Sequence, residues 1–151
     1  MKNKVLVFSI VFLSAIISHK SQAQDQSNAI SVRAINNFHK EFPHAVNELW
    51  SKTDGGGYMV SFENDSVQTR AFYFPKGSLR CSIAYYNEKD LQADIWNEVK
   101  SSYYAYDIVG VTEISAYRQK IYMISLENDA YHKKLRVTAD ELQEVESFRK
   151  G

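Results

Sequence analysis

Few residues in this 151-residue chain have side chains suited to chemistry at neutral pH: four histidines and one cysteine. His39 and His44 are five positions apart, whereas two ligands on one helical face need a spacing of about three or four. His132 falls in a polar turn and His19 in an apolar leader. A Ser–His–Asp site would have to be assembled in space, and nothing in the residue order favours one. HExxH, CxxC, GxSxG and Walker patterns are all absent. Cys81 has no second cysteine to pair with and is expected to be a buried strand thiol. The oxygen-rich turns Glu63-Asn64-Asp65 and Glu127-Asn128-Asp129 could suit calcium. That ion wants about six or more oxygens, so hairpin-turn chemistry is the simpler reading. No metal, cofactor or catalytic residue is implied.

The elements that would carry these residues are announced by a repeated phrase. YMVSFEND at 58–65 returns as YMISLEND at 122–129, with six of eight positions identical. At the same offset of 64, Ala71-Phe72-Tyr73 stands opposite Leu135-Arg136-Val137. Upstream the offset is 61, aligning Ile30, Ile35, Phe38 and Phe42 with Leu91, Trp96, Val99 and Tyr103, so the second copy is expected to carry three extra residues between its helix and its strands. Similarity at a fixed period implies two copies of one supersecondary unit. Val32, Ile35, Phe38 and Phe42 have helical spacing, as do Leu91, Ile95, Val99 and Tyr103. Pro43 ends the first helix, and Asn87 with Asp90 is the expected cap of the second. Tyr58, Val60 and Phe62 alternate with polar neighbours, as do Tyr122, Ile124 and Leu126, which is the period of a half-buried strand. Leu79, Cys81, Ile83 and Tyr85 are expected to alternate likewise. Around residues 138–149 the signals conflict: Thr138-x-x-Glu141 reads as a capping box, but the repeat calls for a strand. A duplicated core constrains more than one local signal, so a strand is expected. The expected fold is α+β, a tandem duplication of an α-β4 unit, with an antiparallel sheet and two helices packed on one side. Residues 30–86 form the first unit and 87–151 the second.

Before residue 30 the chain has a different character. Lys2 and Lys4 precede an apolar run from Val5 to Ile17, followed by Ser21-Gln22-Ala23. These are the parts of a secretory signal peptide over residues 1–23, cleaved near Ala23, with 24–29 a short extension. Removing that segment lowers Lys+Arg from 18 to 15 against 18 Asp+Glu, a net charge of about −3. Without a basic run, nucleic acid is not an expected partner. The expected location is periplasmic or secreted, with no membrane span after cleavage.

Each unit runs helix, a strand around Trp50 or Ile114, Gly-Tyr-x-Val or Ile-Tyr-x-Ile, an Asn-Asp turn, and a further strand. This order resembles the bacterial PepSY-like, or β-lactamase-inhibitor-protein-like, exported tandem-repeat proteins over about residues 28–149. The helix-start proline common in such proteins is replaced by Ser31 and Gln92, and Glu141 stands opposite the turn glycine Gly77. The resemblance implies a non-catalytic, inhibitor-like binding role with a protein partner, and it carries over no inhibitory residue.

One feature of the strands points to where a partner would sit. A sheet covered on one side should alternate apolar with polar, but Ala71-Phe72-Tyr73-Phe74 and Ile83-Ala84-Tyr85-Tyr86 do not. The repeat turns Ala71 and Tyr73 inward and leaves Phe72 and Phe74 outward with Met59. That face either packs on the other unit or meets a partner, for which aromatics and Met are suited. The expected binding residues are Phe72, Phe74, Tyr85, Met59, Trp50 and Tyr104. The rival readings are a small-ligand or glycan pocket between the units lined by Trp50, Trp96 or several tyrosines, and a hydrolase with a spatially assembled site.

Overall fold

The computed structural model describes residues 29–151, so the expected leader and almost all of the extension lie outside the described residues. Helix α1 (Val32–Glu41) precedes strands β1 (Ala45–Lys52), β2 (Tyr58–Asn64), β3 (Val67–Tyr73) and β4 (Leu79–Tyr86). Helix α2 (Ala93–Ser102) then precedes β5 (Asp107–Ala116), β6 (Gln119–Glu127), β7 (Tyr131–Val137) and β8 (Leu142–Arg149). All eight strands form one antiparallel sheet in sequential order. The order helix then four strands occurs twice, and β4 pairs with β5 to join the halves.

Both helices pack on the same side of the sheet, each over its own cluster. In the first half Ala34 and Phe38 of α1 meet Tyr58, Val60, Phe62, Ala71 and Tyr73. In the second, Ile95 and Val99 of α2 meet Val111, Tyr122, Ile124, Leu126, Leu135 and Val137. The alternation read from the repeated phrase therefore does select the buried side, with Val60 and Ile124 both fully buried. Aromatic rings dominate the first core: Phe38 lies 4.8 Å from Phe62, edge-on, and Phe42 4.8 Å from Phe62. Aliphatic side chains dominate the second.

Residues 142–149 are a strand, as the repeat implies, and Thr138 closes the β7–β8 turn by donating its N–H to the Glu141 carbonyl instead of capping a helix. Other local expectations change. Asn87 precedes a single 3₁₀ turn, Glu88–Asp90, while α2 starts two residues after that turn ends, behind Gln92. Strand β4 does not alternate throughout, because a bulge opposite Phe72 and Tyr73 turns Leu79 to the core but Cys81 to the open face. Cys81 is accordingly half-buried rather than buried.

The register also relocates the length difference between the halves. Trp50 pairs with Val60, and Val111 pairs with Ile124, so Trp50 and Val111 are the equivalent positions. Ile114 pairs with Ile121, further along a β5–β6 hairpin that outreaches its β1–β2 counterpart. The extra residues thus extend a hairpin and do not precede the strands.

Gly77 decides how α1 is seated. Its φ is +82°, and a Cβ there would come within 2.8 Å of the Ala34 amide nitrogen. This close approach lets Asn37 donate to the Gly77 carbonyl at 2.7 Å. At the corresponding β7–β8 turn Glu141 replaces glycine, and a 590 Å³ cleft separates α2 from the turn, bordered by Ile95, Tyr122, Asp140 and Glu141.

Candidate partner-binding face

The side of the sheet away from the helices is organised in rows set by strand pairing. Met59, Phe72 and Cys81 form one row. Ser61, Arg70, Ile83, Ile114 and Ile121 form the next. Gln68, Tyr85, Thr112, Met123 and Arg136 form a third. No described element covers these rows. Rows of this kind follow from the two-residue period of a strand: once Tyr58, Val60 and Phe62 are buried, Met59 and Ser61 must face the other way.

Phe72, Phe74, Tyr85 and Met59 are thus brought to one side of the first half. Phe74 follows β3 directly and is 37% exposed, and Tyr85 is 41% exposed. Arg80 sits at the β4 bulge with its guanidinium 6.0 Å from the Phe74 ring centroid, and Arg70 lies 5.8 Å from that of Tyr85. Phe72, Phe74, Pro75 and Arg80 border a 330 Å³ hollow beside the Gly55–Gly57 turn.

Two expected residues are not part of this face. Trp50 lies on the helix-covered side, 5.3 Å from Phe38 edge-on and 5.8 Å from Tyr73, and its indole donates to Glu48 at 3.1 Å. Its position opposite Val60 turned it inward, a register that the sequence order does not show. Tyr104 is 83% exposed but sits in the α2–β5 connection, at the opposite end of β5 from the Phe72 row. Conversely, Ile83, Ile114, Ile121 and Met123 join the open face although none is among the expected binding residues. Their signal was the loss of alternation around Ile83 and Ile121, but only pairing across β4, β5 and β6 gathers them into one patch.

The three histidines among the described residues are paired: His39, His44 and His132 each lie within 3.6 Å of a carboxylate, on Glu48, Asp65 and Glu127 respectively. At the join of the halves, Glu113 accepts from Tyr86 at 2.8 Å and from Ser115 at 3.1 Å, and pairs with Lys120 at 2.7 Å. These donors hold the Glu113 carboxyl below its usual range despite its desolvation. Burial and the bond to Glu113 push the Tyr86 phenol up, and the same carboxylate raises Lys120. Every member is driven away from neutrality, the opposite of what a general acid or base requires. Burial likewise raises the Cys81 thiol against the lowering effect of Arg80, which disfavours the thiolate.

In the turns, Asn128 accepts the Ala130 and Tyr131 amides at 2.9 and 2.8 Å, which is turn chemistry. Among the described residues no three His, Cys, Asp or Glu side chains gather in a way that would hold a metal. Trp50 and Trp96 do not share a pocket. Trp96 lies on the surface of α2, donating to Glu88 at 2.7 Å beside a 600 Å³ hollow.

No family model and no curated protein matches the sequence. Solved structures do match in fold. A DUF2874 family protein from Bacteroides ovatus superposes with a TM-score of 0.60 at 19% identity, over 80% of this chain and 88% of that one. A BLIP-like protein from Bacteroides fragilis gives 0.61 at 12% identity, over 78% and 87%. A candidate periplasmic protein from Bacteroides eggerthii gives 0.59 at 15% identity, over 80% and 89%. At these identities the chain shares with all three the fold alone.

Proposed function

We propose that the chain is an exported, non-catalytic binding module that presents its open sheet face to a protein partner in the cell envelope. The observation that carries this reading is the uncovered apolar patch of Met59, Phe72, Phe74, Ile83, Tyr85 and Ile114, on a fold like that of a BLIP-like protein. Contiguous apolar surface of this kind on a soluble protein marks an interaction site, and aromatics with Met are enriched at interface centres. Export is supported by the leader-like residues 1–23 and by the likeness to a candidate periplasmic protein. No described helix is long and apolar enough to cross a membrane. The two halves are read as copies of one α-β4 unit, on the strength of the repeated phrase and the repeated element order. Kinship with PepSY-like proteins rests on the sequence pattern alone. A glycan or small-ligand pocket built on Trp50 and Trp96 is disfavoured by their separation.

The test is affinity capture from an envelope fraction with residues 24–151 as bait, comparing wild type with a Phe72→Ser/Phe74→Ser variant. The variant is expected to lose at least one protein that the wild type retains. Equal recovery of every captured protein removes the case for this face.

A further inference from the structure

The open face carries different charges on its two halves. In the second half every strand cation on this face has a carboxylate within reach. Lys134 lies 3.1 Å from Glu146, Arg136 3.8 Å from Glu141, and His132 3.3 Å from Glu127. In the first half Arg70 and Arg80 are both exposed, and among the described residues neither lies within 4.0 Å of a carboxylate. Each guanidinium instead lies by an aromatic ring of the patch, Tyr85 for Arg70 and Phe74 for Arg80. Glu63 is the one acid of these rows, at the Gln68 end of β2 and away from Arg80. Residues 24–151 carry more acids than bases, so an unpaired cationic pair here runs against the average of the chain.

We infer that the partner of this face is a protein segment presenting two or more carboxylates around an apolar side chain, with Arg70 and Arg80 receiving the acids and Phe72 and Ile83 the apolar group. The inference rests on the reading of this face as the docking surface and deepens it by naming the partner's chemistry. Arg70 is opposite Ile83, three residues along β4 from Arg80, which puts the two anchors on the order of 10 Å apart. A planar guanidinium fixed beside a ring keeps its fork free for a carboxylate, and the charge-assisted pair is strengthened as the rim excludes water. Arginines within an aromatic patch are the residue types that dominate interface energetics. A bare polyanion would use the charges alone and leave the apolar centre without a role.

The probe is a phage-displayed library of random peptides selected on wild-type residues 24–151. Selected peptides are then measured as free peptides against wild type, Arg70→Gln/Arg80→Gln and Phe72→Ser/Phe74→Ser. The expected result is enrichment of Asp and Glu flanking an apolar residue, with at least about tenfold weaker binding to each double variant and weakening by salt for wild type. Both arginines are exposed, so the glutamine variant should keep the wild-type circular dichroism and melting temperature. A selection without an Asp/Glu excess, or without any binder, overturns the inference. Peptides lost by the serine variant but retained by the glutamine variant overturn the acidic partner and leave the docking face standing. Peptides retained by both variants remove the face itself. Binding of single-stranded DNA or heparin that depends on Arg70 and Arg80 but not on Phe72 and Phe74 would assign the arginines to a polyanion and also overturn it.

Discussion

The two halves agree where side chains are buried and diverge where they are not. Val60 and Ile124 occupy equivalent central positions under their helices, as do Ala71 and Leu135, and all four are fully buried. On the opposite side, Met59 pairs with Phe72 in the first half while Met123 pairs with Arg136 in the second. Burial permits only apolar groups of suitable volume, so core positions can change shape but not character. An uncovered face carries no such constraint, and here one half has become aromatic with free arginines while the other is tied up in ion pairs. The difference locates the candidate interface on the first half and on the isoleucines where the halves join.

The sharpest way to break this comparison is to truncate equivalent core residues. Phe38 and Val99 are both fully buried under their sheets, 61 positions apart. Phe38→Ala is expected to cost about 3–5 kcal/mol, because it removes a ring packed against Phe42, Trp50 and Phe62 and leaves a cavity. Val99→Ala deletes two methyl groups and is expected to cost on the order of 2 kcal/mol. Urea unfolding monitored by circular dichroism gives both values, and equal costs would mean that the aromatic core lends the first half nothing extra.

A second contrast concerns the seats of the helices. Gly77→Ala forces a left-handed backbone on alanine and drives its methyl into α1, and is expected to cost about 1–3 kcal/mol. Glu141→Gly at the open cleft should stay within about 0.5 kcal/mol, the range of surface substitutions. Similar losses in melting temperature for both variants would show that the α1 contact is not special.

The join between the halves offers a pH test of intermediate size. Glu113 has a folded-state pKa below its unfolded value, so its contribution is present above the ordinary carboxylate range and disappears as pH falls through the lowered folded value. Glu113→Gln should therefore cost about 1–3 kcal/mol at neutral pH, and the gap from wild type should narrow on acidification. A gap that does not depend on pH would assign the effect to packing instead of to the charge shared with Lys120 and Tyr86.

Much of the fold was legible in the chain because strand period and repetition are local. Tyr58, Val60 and Phe62 alternate visibly, Phe42-Pro43 marks a helix end, and the matched turns Asn64-Asp65 and Asn128-Asp129 mark hairpins. The conflict at residues 138–149 was resolved correctly by the repeat, since Thr138 and Glu141 bond across a turn. The candidate face was legible only in part. Phe72 and Phe74 broke the alternation and so announced themselves, whereas Trp50 looked like another stray aromatic and lies half-buried against the first core. Ile83 is distant in sequence from Ile114 and Ile121, which face each other across one hairpin, and meets them only through the β4–β5 pairing.

By itself, the sequence determined the element types, the buried phase of most strands and the twofold pattern of helix then four strands, since each depends on periodicities of a few residues. Only the tertiary structure decided what depends on register and on long-range approach. It placed Trp50 opposite Val60, set the β4 bulge that sends Cys81 outward, seated α1 against Gly77, and left Arg70 and Arg80 without carboxylates while their second-half counterparts found them. A one-residue change in pairing moves a side chain through the sheet, and an ion pair forms only between groups brought within a few ångströms. Neither quantity is written in any short stretch of the chain.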